Sequence, residues 1–179
     1  RVLLVGSGAR EHAIAASLAM SSDIELYAAM NSKNPGITKL AKETAVMKTS
    51  DPATVVDYAA QTRPELAVIG PEAPLVNGVV EALTKQGIRC VGPPRRLALL
   101  EGDKAFCREL MSRHAIPGHP FFRTFTELQS AESFIKTAGP IAIKPAGLGG
   151  GKGVKVSGED LPSKEDELAY AREIFLDKI

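Results

Sequence analysis

Two features of the sequence predict an α/β fold. Short apolar or β-branched runs recur along the first half of the chain, and helical patterns fill the intervals between them. The runs at residues 2–5, 24–28, 44–47, 66–69 and 88–91 have the length and composition of strands. Helical patterns lie at 11–20, where Ile14 and Leu18 stand one turn apart, at 52–61, opened by Pro52, and at 78–86. Strands that alternate with helices build right-handed βαβ units, so the sheet should be parallel, buried, and covered by helices on both faces. Residues 1–94 are therefore expected to form a Rossmann-like domain around five parallel strands.

The pattern changes after Gly92-Pro93-Pro94. Helical stretches at 95–100 and 103–114 predict a helical connection over 95–117, which Pro117 and Pro120 then punctuate. Residues 118–179 read as a small α+β module: a strand near 121–124, a helix over 127–138, strands at 141–144 and 154–157 around a glycine loop, and a helix from Lys164 onward. A module of this size buries little core by itself.

Composition narrows the function. The 179 residues carry a net charge of +1 with both signs interspersed, which excludes the broad basic field of a protein that grips nucleic acid through many phosphates. Any anion site must be local. Cys90 and Cys107 are too far apart for a CxxC pair and lack a zinc-spaced His partner, so a reduced intracellular protein is expected. No run has membrane-spanning length, and the chain opens directly on a strand pattern, which predicts a soluble, cytoplasmic protein without a membrane partner.

Gly6-Ser7-Gly8-Ala9-Arg10-Glu11-His12 joins the first strand to the first helix. Glycines there allow a sharp turn and a close approach, while the helix start offers free N–H groups and partial positive charge to a phosphate. A tight turn with no ligand uses the same residues. Arg10 suits a phosphate, and Glu11 suits a hydroxyl or amine donor. His12 has no partner acid or nucleophile and is expected to pack or to form a hydrogen bond rather than to catalyse. A nicotinamide cofactor is excluded, because Glu11 replaces the third glycine of GxGxxG and no acidic residue ends the second strand. Gly70-Pro71-Glu72-Ala73-Pro74-Leu75 follows the fourth strand, on the same carboxyl edge of a parallel sheet, with Glu72 held on a loop stiffened by prolines. Asn34-Pro35-Gly36 either borders this pocket or is an ordinary turn.

The glycine loop is Lys144-Pro145-Ala146-Gly147-Leu148-Gly149-Gly150-Gly151-Lys152-Gly153, with five glycines between two strands. Its N–H groups can wrap phosphate oxygens while Lys144 and Lys152 supply charge. It is no Walker A loop: Ala146 stands where that motif needs its first glycine, Gly153 stands at the Ser/Thr position, and a strand follows instead of a helix. Asp103 reads as a helix N-cap, which leaves Lys104 at a helix start where a cation is disfavoured unless an anion is near.

In this order and spacing, Gly-Ser-Gly-Ala-Arg-Glu-His-Ala-Ile from Gly6, Gly-Pro-Glu-Ala-Pro-Leu-Val from Gly70, Leu-Glu-Gly-Asp-Lys-Ala-Phe from Leu100 and Gly-Gly-Lys-Gly-Val from Gly150 resemble the glycinamide ribonucleotide synthetase family of the ATP-grasp superfamily. The resemblance covers nearly the whole chain and is weak over 157–179. Where the family often has Lys-Ala-Asp-Gly-Leu-Ala, this chain has Lys144 to Gly149 without the aspartate. The resemblance implies a pre-ATP-grasp domain followed by an ATP-grasp lid, and ATP-dependent ligation of glycine to 5-phosphoribosylamine through a glycyl phosphate. It maps Lys104, Lys144, Gly147, Gly149, Gly150, Gly151, Lys152 and Gly153 onto the ATP side, and Gly6, Ser7, Gly8, Arg10, Glu11, Asn34, Gly36, Gly70, Pro71 and Glu72 onto the phosphoribosylamine side. Magnesium ligands are expected in a further part of the protein, none being assigned in this chain, and the chain alone is expected to be inactive. Another ATP-grasp ligase or carboxylase, and a nucleotide-binding module without turnover, are the alternatives.

Overall fold

The computed structural model describes residues 1–147 and 153–177. The chain divides into two compact units, Arg1–Gly102 and Asp103–Ile179. The first runs β1 (Val2–Val5), α1 (Ala9–Leu18), β2 (Leu26–Met30), α2 (Pro35–Leu40), β3 (Glu43–Val46), α3 (Pro52–Thr62), β4 (Leu66–Ile69), α4 (Glu72–Val76), α5 (Val79–Lys85), β5 (Arg89–Val91) and α6 (Arg95–Gly102). Its five strands pair in the order β3-β2-β1-β4-β5, and every pairing is parallel, as the alternation of strand and helix requires.

The period of two along β1 divides the core between the faces of the sheet. Leu3 and Val5 pack with Val55, Tyr58 and Ala59 of α3 and with Val79 and Leu83 of α5. Val2 and Leu4 pack on the other face with Ala15 of α1, Met30 of β2 and Ile37 of α2. Each fully buried aliphatic side chain of this kind contributes about 1.5–3 kcal/mol. The helices start where short polar residues precede proline. Asn34 caps α2 and Asp51 caps α3, each followed by a proline whose missing N–H costs nothing at that position. Helix α3 ends on Arg63 in the left-handed region, φ 50°.

Two segments read as loops are short helices. Asn34-Pro35-Gly36 opens α2, and Glu72 is the first residue of α4, with Pro74 inside the first turn where no N–H is needed. The expected connection over 95–117 is split by the division of the chain. Helix α6 goes with the first unit, where Ala98 joins the core, and the following helix goes with the second.

The second unit contains α7 (Lys104–Arg113), α8 (Leu128–Thr137), β6 (Ala142–Ile143), β7 (Lys155–Val156) and α9 (Lys164–Asp177). Strands β6 and β7 are antiparallel. Among the described residues its buried side chains are few: Ala131 and Ile135 of α8, Pro145, Leu161, and Glu167, Tyr170 and Ala171 of α9. No strand forms at 121–124. Phe121 is 80% exposed, and the chain is held instead by Phe125 against the Phe134 ring at 5.4 Å and by the Arg123 guanidinium over that ring. Among the described residues, no helix is long and apolar enough to cross a membrane.

Candidate functional site

In the first unit, the chain order reverses at β1, with β2 and β3 on one side and β4 and β5 on the other. The loops leaving β1 and β4 therefore emerge side by side at the carboxyl edge, the place where open α/β sheets take ligands. Gly6 N–H donates to Ala29 O at 2.9 Å and Gly70 N–H donates to Val5 O at 3.1 Å, which carries the ladder one residue past each strand. The chain then turns at Gly6, whose φ of +129° is costly for any residue with a Cβ.

Glu11 organises this edge. Its carboxylate is turned inward and only 3% exposed. Gly8 N–H donates to its Oε2 at 2.7 Å, and Arg10 Nε donates to its Oε1 at 3.1 Å. A Cβ on Gly6 would lie 2.6 Å from Glu11 Cγ and 2.8 Å from Pro71 Cδ, one on Gly8 would lie 2.9 Å from Oε2, and one on Gly70 would lie 2.7 Å from Cδ. The space these glycines leave is thus filled by an internal carboxylate, which also takes the Gly8 N–H that the sequence offered to a phosphate. The N–H groups of the first turn of α1 beyond Gly8 keep their lack of intrahelical partners.

Arg10 reaches across the two loops. Its Nη2 lies 3.5 Å from Glu72 Oε1, and 54% of its side chain is exposed. The hydrogen bond to Glu11 raises the Arg10 pKa further above its ordinary value. Glu72 is held below the ordinary carboxylate range, first by its own backbone N–H at the start of α4 and then by Arg10. Asn34 ties in the third loop. Its Oδ1 accepts from Gly36 N–H and Ile37 N–H, while its Nδ2 donates to Ser7 O at 2.9 Å and to Gly8 O at 3.4 Å. His12 is exposed, with one side of its ring against α2: a Cβ on Gly36 would lie 2.8 Å from His12 Cδ2, so the glycine lets α2 approach that ring. Gly6, Ser7, Gly8, Arg10, Glu11, Asn34, Gly70, Pro71 and Glu72 are all brought together, with Gly36 at the margin.

In the second unit, Asp103 caps α7, accepting from Ala105 N–H and Phe106 N–H. Lys104 has a partner for its awkward place: its backbone N–H donates to Ala146 O at 2.9 Å, and its ammonium donates to Gly147 O. The cation thus faces carbonyl dipoles at the base of the glycine loop. Lys144 is exposed. On the far side of the loop, Gly153 (φ +84°) packs against Pro145 and the Tyr170 hydroxyl, and Lys155 Nζ sits 4.2 Å from the centre of the Tyr170 ring. Burial raises the Tyr170 pKa, and its hydroxyl has no hydrogen-bond partner among the described residues. Ser157 closes the hairpin by accepting from Ile141 N–H and donating to Ile141 O, both at 2.9 Å. Gly149, Gly150, Gly151 and Lys152 lie outside the described residues.

The late acidic residues serve helix α9. Asp166 accepts from Ser163 N–H and Ser163 Oγ, and Glu167 pairs with Lys164 at 2.7 Å. Among the described residues, no three His, Cys, Asp or Glu side chains converge as a metal would require. Sequence reasoning missed the packing of Tyr170 and Lys155 behind Gly153, because nothing in the spacing of α9 distinguishes Tyr170 from an ordinary core aromatic. It also missed the inward turn of Glu11. A Glu three residues after a helix start is the available signal for that turn.

Residues 1–101 match the family model described as phosphoribosylglycinamide synthetase, N domain, and residues 102–179 match its ATP-grasp (A) domain. A phosphoribosylamine-glycine ligase of Methanopyrus kandleri is 48% identical over 182 residues, covering 100% of this chain and 40% of the relative. The solved phosphoribosylamine-glycine ligase of Thermotoga maritima is 26% identical with a TM-score of 0.70, covering 99% of this chain and 40% of that one. The biotin carboxylase domain of 2-oxoglutarate carboxylase from Hydrogenobacter thermophilus has a TM-score of 0.73 at 21% identity, covers 99% of this chain and 40% of that one, and speaks to fold alone. The chain spans about 40% of the length of the relatives it matches.

Proposed function

Since the chain belongs to the phosphoribosylglycinamide synthetase family, we propose that it is part of a longer phosphoribosylamine-glycine ligase. That enzyme joins glycine to 5-phosphoribosylamine at the expense of ATP, giving glycinamide ribonucleotide, ADP and phosphate. The reading fits a cytoplasmic enzyme of small-molecule metabolism, with no nucleic acid or membrane as partner. The observation that carries it is the carboxyl edge of the first unit, where Arg10 spans the Gly6 and Gly70 loops beside the start of α1.

A carboxylate is a poor electrophile. Transfer of the γ-phosphoryl group to glycine gives an acyl phosphate, whose phosphate then leaves as the amine of phosphoribosylamine attacks the carbonyl carbon. The protein's share is positioning, charge neutralisation and exclusion of water from the intermediate. In this proposal the phosphate of phosphoribosylamine lies against Arg10 and the free N–H groups at the start of α1, within the loops of Gly6, Ser7, Gly8 and Glu11. The loops of Asn34 and Gly36 and of Gly70, Pro71 and Glu72 close round the ribose, and the Glu72 carboxylate accepts from a hydroxyl or the amine. Lys104, Lys144, Gly147 and Gly153, with Gly149, Gly150, Gly151 and Lys152, take the triphosphate. The donors around the glycine loop are ammonium and backbone groups, which suit phosphate oxygens and not magnesium. Its ligands belong, in this reading, to the remainder of the longer protein.

Two measurements on the full-length enzyme test the proposal. ATP consumption should require both glycine and phosphoribosylamine. Replacing Gly8 by Val, whose Cβ presses on Glu11 Oε2 and displaces the loop, should raise KM for phosphoribosylamine by about tenfold or more while leaving KM for ATP within about twofold. An unchanged KM for phosphoribosylamine would reduce the Gly6 loop to a structural turn.

A further inference from the structure

A charged side chain that is almost fully buried needs a reason. Glu11 is 3% exposed, and its desolvation is offset by one backbone N–H and one guanidinium. Its carboxylate is packed against Gly6, Gly8 and Gly70 and turned from the opening, so it is badly placed to touch a ligand. Arg10 is in the opposite situation. Its Nε is committed to Glu11 at 3.1 Å, its contact to Glu72 is a long 3.5 Å, and over half of its side chain faces solvent. The guanidinium is therefore fixed at its inner end, while its terminal nitrogens keep N–H donors to spare. A phosphate monoester, with paired oxygens and nearly two negative charges, matches such a fork better than Glu72 does.

Resting on the proposed function and deepening it, we propose that Glu11 is a positioning residue. Its buried carboxylate aims the Arg10 guanidinium at the phosphate of the amine substrate and sets the spacing of the Gly6 and Gly70 loops. Glu11 acts through Arg10 and does not itself contact the substrate. In the absence of ligand, Glu72 occupies the outer face of Arg10, and the arriving phosphate displaces it. The alternative is that Glu11 only caps α1. A pure cap leaves Arg10 free to find its rotamer without help, so its loss lowers stability and affects all substrates alike.

The test uses the full-length enzyme and steady-state kinetics with each of the three substrates varied. Glu11→Gln preserves shape but turns one acceptor into a donor, so it breaks either the Gly8 or the Arg10 hydrogen bond. KM for phosphoribosylamine should rise about tenfold, with KM for ATP and glycine and kcat within about twofold. Arg10→Ala should produce a similar rise, and the double variant should be no worse than the more damaged single one. Multiplicative effects in the double variant, or an equal loss for all three substrates, overturn the proposal. So does an unchanged KM in both Glu11→Gln and Glu11→Ala while Arg10→Ala raises it, since the alanine removes the acceptor of Arg10 in either case, a result that leaves the proposed function standing. No effect from Arg10→Ala removes the phosphate from Arg10 and takes both readings down. Should Glu11→Gln fail to fold, Glu11→Asp, which keeps the charge and shortens the reach, must show a selective rise; an unchanged KM in the folded Asp variant overturns the proposal equally.

Discussion

Both units bring glycine to a proposed ligand edge, and the glycines do different work. Around Gly6, a Cβ would meet Glu11 Cγ at 2.6 Å and Pro71 Cδ at 2.8 Å; around Gly147, it would meet nothing within 4 Å among the described residues. The first loop is small because side chains already fill it. At Gly147 the backbone is exposed, and among the described residues the side chain tied to its carbonyl is the Lys104 ammonium. The first edge is also cross-linked, by Asn34 to the Ser7 and Gly8 carbonyls and by Arg10 to Glu72, whereas Lys144 stands exposed in the second unit. One edge is organised before a ligand arrives, at the cost of burying a charge. Around Gly147, the described residues offer charge and open backbone without such cross-links.

The sharpest way to break this contrast is steric. Gly6→Ala adds a clash to a φ of +129°, and should cost about 2–4 kcal/mol of stability in urea unfolding followed by circular dichroism. Gly147→Ala should change stability by less than about 0.5 kcal/mol. Equal costs would mean that the two loops do not differ in packing.

A smaller effect separates a cap from a cross-link. Asn34→Ala loses both the cap of α2 and the donors to Ser7 O and Gly8 O, for about 1–2 kcal/mol, and Asn34→Asp, which keeps the acceptor, should recover only the capping part. Asp103→Ala in the second unit loses a cap alone, for about 1 kcal/mol. If Asp at position 34 restores full stability, the Asn34 bridge contributes nothing.

The ionic part should be smallest. Glu72 has a depressed pKa in the folded state, so its contribution is present above the ordinary carboxylate value of 4.5 and is lost as pH falls through the folded value. Partial exposure limits the contribution to less than about 1 kcal/mol. The stability difference between the natural chain and Glu72→Gln should therefore shrink to nothing on acidification below that range, and a difference independent of pH would assign it to packing.

The strands and the larger helices of the first unit were legible because a parallel sheet covered on both faces needs short apolar runs such as Val2 to Val5, with helical patterns between them. Helices α2 and α4 were not. Asn-Pro-Gly and Pro-Glu-Ala-Pro carry the residues of a turn, and the same residues start a helix when the next apolar residue, Ile37 or Leu75, has a core to enter. The strand at 121–124 failed for the converse reason: no neighbouring strand takes its backbone groups. At the site, the meeting of the Gly6 and Gly70 loops follows from the parallel order of β1 and β4. The inward turn of Glu11 does not, because it depends on glycine at position 70, far away in sequence. The contacts of Lys104 with the Ala146 and Gly147 carbonyls join elements about forty residues apart, which local pattern cannot reveal.

The central place of β1 has a consequence for synthesis on the ribosome. It pairs on one edge with β2, which follows closely, and on the other with β4, in the register Val2 to Leu66. Roughly forty residues separate the end of β2 from the end of β4, and at about 5–20 residues per second the nascent chain waits about 2–8 s for the partner that covers the second edge. Until then a strand buried at every position has one row of N–H and C=O groups open beside an apolar face. Slow synthesis between residues 31 and 69 prolongs that exposure in proportion, and β1 gains its second partner when β4 is complete.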